Sequence, residues 1–290
     1  MIDRKELKAA ARETIRQTRP HAVWVTLAVT AALLIVQGLS LSLNGDLEAY
    51  RATYESILAG KPEFVMPSGA VSLPGWLLTV ALDVMGMVLS VGYSLYILRL
   101  SRHKNPSFGD VFDAFGVFLR AVWISILRSV VISLWSFVYA VPAALFAATM
   151  DPVVAAVICL PLLIPMFMAA YSYRLAVFIM LDEPAYSCGQ CMALSRMAMN
   201  GRKWELFRLD LSFLGWILLS IVPFVGLYVE PYMGVTAAGW YDRVMPGFRE
   251  DLQRQMQQRR DSGGYRPPSR GDYHIPGERH DDEDDPDSKE

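Results

Sequence analysis

Four long apolar stretches dominate the chain, and each is long enough to cross a bilayer, which takes about 20 residues of helix. They run over 21–43, 73–98, 121–148 and 152–180, and a fifth begins near Phe207. Backbone amides in hydrocarbon must be satisfied inside their own segment, so each stretch reads as a helix and not as a lone strand. Composition agrees. Of the 290 residues, 53% are hydrophobic and 19% charged, against about 25% charged in a soluble protein. The charges are also segregated: residues 246–290 carry 8 Lys/Arg and 12 Asp/Glu, so the net charge of −2 averages two unlike parts. A soluble enzyme and a nucleic-acid binder are both poorly supported.

The expected fold class is therefore all-α, a polytopic transmembrane helix bundle. Its end allows two arrangements. Residues 207–229 form one last span, or the chain turns at Pro223-Phe224-Val225-Gly226 and returns over 227–245. The return carries Glu230, Pro231 and Asp242, which weakens its hydropathy. A Pro and a Gly punctuate the run where a tight turn would sit, so six spans are expected.

Orientation follows from Lys and Arg in short loops. Arg4, Lys5, Lys8, Arg12, Arg16 and Arg19 precede the first span. Arg99, Arg102, Lys104 and Arg120 follow the second, and Arg196, Arg202, Lys203 and Arg208 follow the fourth. The opposite side has only Arg51 and Lys61 in the 44–72 loop and none around Asp151. The reading is a multi-pass cell-membrane protein with a cytoplasmic amino terminus and, with six spans, a cytoplasmic tail. A cleaved signal peptide is the competing account of the start. Its apolar core would be about 7–15 residues, shorter than this one, so an uncleaved span is favoured.

Three regions flank or join the spans. Residues 1–20 form an amphipathic segment with Leu7, Ala10, Ala11 and Ile15 at helical spacing. It either lies on the inner membrane surface or is a solvated helix start. Both basic loops carry a capping box, Ser107 with Asp110 and Ser187 with Gln190, so two cytoplasmic interfacial helices are expected. The first presents Phe108, Val111, Phe112, Phe115, Phe118 and Leu119, expected to be buried against membrane or bundle. The loops also align: Tyr93-Ser94 precedes Pro106, and Tyr171-Ser172 precedes Pro184, each at an interval of 13 residues with an offset of 78. This is read as a degenerate repeat of two hairpins in the same membrane sense. Residues 21–245 then form the transmembrane domain. The charged tail at 246–290, ending in an acidic run, is expected to be disordered.

Candidate chemistry lies inside the spans. The third carries Arg128 near mid-depth, with Ser125, Ser129 and Ser133 at i, i+4, i+8 and Ser136 beyond. The second has one acid, Asp83, at similar depth. An isolated charge there costs about 2.5–3.5 kcal/mol on insertion scales, so an Asp83–Arg128 ion pair is expected, either as a packing lock or on a solute path. Arg174 sits at the inner end of the fourth span and is expected to snorkel to the interface. Pro161 and Pro165 predict a kink. Cys188-Gly189-Gln190-Cys191 has C-x-x-C spacing, but no second ligand pair follows. No metal site and no cofactor are expected.

Several phrases occur together: Glu6-Leu7-Lys8 with Ala11-Arg12, Ser195-Arg196 with Met199, Gly201 and Lys203, then Leu211 to Trp216, Pro231-Tyr232 and Tyr241. Over roughly 1–245 the chain resembles the bacterial integral-membrane family catalogued as domain of unknown function 975. The resemblance implies a multi-span protein of the bacterial cytoplasmic membrane. It brings no substrate and no catalytic residues. Locally the block reads as an interfacial helix with Arg196, a Gly stop, a basic anchor at Lys203 and membrane entry at Trp216.

The leading expectation is a non-enzymatic accessory or scaffold protein whose partners are the lipid bilayer and a membrane or cytoplasmic protein. The alternative is a small-solute transporter or channel built on Asp83, Arg128 and the serines. An enzyme ranks third, since no nucleophile–base constellation is visible.

Overall fold

The computed structural model describes residues 4–18, 21–43, 46–59, 73–220, 222 and 224–261. Among these every regular element is helical. The chain opens with α1 (Arg4–Gln17), α2 (His21–Leu43) and α3 (Asp46–Leu58). α4 (Leu73–Ser101), a 3-10 helix (Phe108–Val117) and α5 (Phe118–Ala147) follow. The fourth apolar stretch is broken into α6 (Pro152–Cys159), a 3-10 turn (Leu160–Leu162), α7 (Leu163–Ser172) and α8 (Ala176–Asp182). α9 (Cys188–Ala198), α10 (Lys203–Leu211), α11 (Leu214–Leu219) and α12 (Gly226–Asp261) complete it.

Four helical segments are long and apolar enough to cross a membrane: Ala22–Ser42, Leu73–Ser101, Phe108–Phe146 and Val157–Asp182. They coincide with the four expected spans. The kink falls at Pro161, which supplies no backbone N–H and sits in the 3-10 turn. α6 starts as its sequence dictates, with Pro152 at the first helical position and the Asp151 carboxylate accepting from the N–H groups of Val153 (2.9 Å) and Val154 (3.3 Å). After α11 the chain turns through Phe224 and Val225 into α12, close to the anticipated reversal.

Packing is uneven along the bundle. The largest fully buried side chains are Trp240, Tyr96, Tyr232, Tyr241, Phe213 and Ile15, and they cluster where the basic loops lie. Toward the other end Leu34, Leu134, Leu145 and Val153 are each about two-thirds exposed, the pattern that helices long and apolar enough to cross a membrane would show on a lipid-facing side. The basic end is thus a packed helical base, and the opposite half is a looser sheaf.

α1 belongs to this base. Leu7, Ala11, Thr14 and Ile15 are buried, and the helix packs on α12, so it neither floats in solvent nor merely rests on a bilayer. Arg12 Nε donates to the Tyr232 hydroxyl at 2.9 Å, and Lys8 Nζ stands 3.9 Å from the Phe213 ring centre.

One expectation is refined and one corrected. The first loop element is the helix its capping box announces, wound as a 3-10 helix. With about three residues per turn, Phe112, Phe115 and Phe118 eclipse and stack as an exposed ladder, while Val111 and Ala114 turn inward. The charged stretch after residue 245 is not wholly irregular, because α12 continues to Asp261. Phe248 and Leu252 pack on the core, and Arg249 pairs with Glu183 at 2.8 Å, which supplies the contacts that composition alone concealed. Residues 262–290, including the acidic run, lie outside the described residues.

Candidate intramembrane cleft

α2 and α4 pack closely along their length, whereas α4 touches α5 less extensively. The space left between them is a cleft of about 750 Å3, bordered also by Val177 of α8 and Glu230 of α12. Three helix faces supply its polar lining. α4 presents Asp83, Ser90 and Ser94, α5 presents Ser125, Arg128 and Ser129, and α2 presents Thr30 and Gln37. On α4 these positions recur at seven and four residues, the spacing of one helix face.

The structure brings Asp83, Arg128, Ser125 and Ser129 to this cleft, but the expected ion pair does not form. Asp83 Oδ1 accepts from the Ser40 hydroxyl at 3.2 Å. Its helix lies mainly against α2, so the carboxylate finds a partner there and not across the gap. Arg128 makes no ion pair and no hydrogen bond with any side chain among the described residues. It is half-buried, and its guanidinium faces the cleft as an uncompensated cation. Ser133 leaves the stripe and is exposed elsewhere. Eight residues of helix turn about 80° past whole turns, so a strict i+4 series drifts off one face. Ser136, eleven residues from Ser125, returns to within about 20° of its face, but three turns further along α5 it donates to Met166 Sδ of α7 at 3.3 Å.

Glu230 is the residue the sequence reading missed. It enters there only as a weakness in a sixth span, yet it lines the cleft and accepts from Thr30 Oγ1 at 3.3 Å. The cleft therefore holds one cation, two carboxylates and a set of hydroxyls. Chemically, such a lining offers donors at Arg128 and acceptors at the two carboxylates.

The other expected interfacial residues divide. Arg174 is held locally: its guanidinium pairs with Asp210 of α10, and the Tyr171 hydroxyl donates to the same carboxylate at 2.8 Å. An acid within reach satisfies the cation locally. Trp216 packs edge-on to Tyr232, with ring centres 6.0 Å apart. Arg196 and Lys203 border a second cavity beside α9.

Cys188 and Cys191 are free thiols, and both are buried in the core face of α9. No group of three or more His, Cys, Asp or Glu able to hold a metal occurs among the described residues. Burial pushes the Cys191 thiol up to about 11. Near pH 7.5 it should then be alkylated roughly a hundredfold more slowly in the folded protein than after denaturation, since the thiolate is the nucleophile. Rapid labelling of the folded protein by iodoacetamide, followed by peptide mapping to Cys191, would contradict this.

The motif residues converge in space. Lys8 and Arg12 of α1 meet Phe213, Trp216 and Tyr232 from two distant segments. Ser195 is buried and donates to the Ser172 carbonyl at 2.8 Å, Met199 is fully buried, and Gly201 takes φ +75°, a left-handed stop that favours glycine. A family model described as protein of unknown function (DUF975) matches residues 1–246. No curated protein and no solved structure matches.

Proposed function

For a chain that belongs to the DUF975 family of unknown function, we propose a role as a membrane protein that admits a small polar solute to the cleft around Arg128. One observation carries this reading: a guanidinium without a side-chain partner among the described residues faces a cleft of about 750 Å3 with a mixed polar and apolar lining, in a bundle with four apolar span-length helices. Left dry, such a charge costs several kcal/mol, so water or an anionic solute group is its natural complement. Asp83 and Glu230 complete recognition of a zwitterionic or hydroxylated solute. The function is binding and conduction, not a reaction.

The arrangement behind the proposal has six spans, with α10–α11 and α12 as the fifth and sixth. The reversal near Val225 supports it, and so does the packing of α12 against α2 and α4. The excess of Lys and Arg at the packed end supports a cytoplasmic base in a cell membrane.

The test uses Ser94→Cys, Ser129→Cys and Gln37→Cys, with the buried native thiols as a slow background. Impermeant thiosulfonate reagents should modify the added cysteines from one side of the membrane only. The anionic reagent should outpace the cationic one, and Arg128→Gln should remove that preference. If no added cysteine reacts from either side, the cleft is dry and the proposal fails.

A second reading, a non-catalytic accessory or scaffold protein, draws on the exposed phenylalanine ladder at 108–118, which presents a flat apolar surface at the basic end. A dry cleft together with ladder-dependent capture of a defined membrane partner would favour it.

A further inference from the structure

A cavity of about 720 Å3 opens beside α9, and its polar wall is Arg196, Asn200 and Lys203. No acidic side chain lines it, and neither Arg196 nor Lys203 pairs with a carboxylate among the described residues. By contrast Arg99, Arg102, Arg174, Arg243 and Arg249 at the same end are all in ion pairs. The facing wall is apolar, formed by Leu127 and Val131 of α5. Lys203 also borders a second groove of about 550 Å3 between α7 and α10. That groove is lined by Ile164, Phe167, Met168, Trp204 and Phe207, and it is almost wholly apolar. Trp204 and Phe207 stack with ring centres 5.1 Å apart, and Phe167 and Ile164 rise along the span toward the exposed half.

A cation site that shares Lys203 with an apolar groove along a span has the chemistry of one molecule: a phosphate-bearing head with an acyl chain attached. We infer that this composite site holds an anionic phospholipid, its phosphate between Arg196 and Lys203 and one chain in the α7–α10 groove. Charge complementarity selects the head, because two uncompensated cations favour a lipid of net negative charge over a zwitterionic one. The groove selects a lipid over a free anion, since soluble phosphate leaves it empty. Lys203 joins the two halves as an amphipathic stem, its methylenes on the aromatic wall and its ammonium at the head. The inference is independent of the cleft around Arg128, which lies in a different cavity with different residues.

Native mass spectrometry of the full chain released from mixed micelles provides the test. With equimolar phosphatidylglycerol and phosphatidylcholine, the parent should retain phosphatidylglycerol with a preference of roughly tenfold or more. Arg196→Gln/Lys203→Gln should abolish the preference without losing retention of either lipid below the phosphatidylcholine level. Arg196→Lys/Lys203→Arg should keep it, which separates charge from folding. Phe167→Ala/Trp204→Ala should weaken retention of both lipids about equally. Equal retention of the two lipids by the parent, or an unchanged preference in the Gln variant, overturns the site. Full displacement of phosphatidylglycerol by millimolar inorganic phosphate also overturns it, by showing an anion site with no acyl component.

Discussion

Replacing Arg102 with alanine should lower stability by about 3 kcal/mol, on the order of 6–10 °C in melting temperature. Arg102 leaves the end of α4 and grips two acids from different helices. Its terminal nitrogens donate to Asp182 at 2.6 Å and to Asp242 at 2.7 Å, with Nε adding a contact to Asp242 at 3.1 Å. The three side chains are only 21–29% exposed. Arg249 and the Tyr241 hydroxyl also reach Asp182, at 3.5 and 3.2 Å, so one fork joins α4, α8 and α12. Removing it leaves Asp242 with a single long contact from Ser101. The main loss is that stranded carboxylate, not the pair's own attraction.

That distinction gives the experiment its structure. Adding Asp242→Asn to Arg102→Ala removes the stranded charge and should restore about half of the lost stability. Arg102→Lys should fall between, because an ammonium is a point charge without the planar fork that holds two carboxylates at once. A parent-like melting curve for Arg102→Ala in detergent would mean that water serves these acids as well as the guanidinium does. The base would then be held by its aromatic packing alone.

Whether such features were readable beforehand depends on how much of each is local. The bounds of α2 follow from continuous hydropathy, and the cap at Ser187 from a four-residue pattern: the Gln190 side chain accepts from Ser187 N–H at 2.8 Å, as the capping box requires. The Asp83–Arg128 pairing was a global inference from depth alone. Depth is set by residue count, but contact also needs the two faces to rotate toward one another, and α4 turns its acid to Ser40. Glu230 failed for the opposite reason. Judged as a defect in a span, it was not weighed as lining for a cavity that only the packing of α12 beside α2 creates. The helix beyond Pro246 was hidden because charge-rich composition argues against a core, while two apolar residues four apart, Phe248 and Leu252, sufficed to dock it. The motif phrases were legible as a set, yet their meaning is a contact: cations of α1 on the rings of Phe213 and Tyr232.

Gly92→Ala should be among the most damaging single-methyl changes, with an expected loss of about 3 kcal/mol, at the upper end for overpacking. Gly92 lies in α4 where the 3-10 helix crosses it, and a Cβ there would overlap the carbonyl oxygen of Val111. The obstacle is backbone, so no rotamer change relieves it. The crossing must open, and with it the seats of Val111 and Ala114 and the reach of Arg99 to Asp110 and Asp113. The 102–118 segment should become the first site of tryptic cleavage as the melting temperature falls. Gly38→Ala in α2 is the matched control, because nothing lies within 4 Å of its added methyl. In a helix that change is expected to be neutral or to stabilise by up to about 1 kcal/mol, since alanine loses less backbone entropy than glycine. Opposite signs for two identical substitutions, both in apolar helices, isolate the close approach as the cause. If Gly92→Ala instead matched Gly38→Ala, the 3-10 helix would not be seated on α4, and the phenylalanine ladder it displays would lose its fixed position.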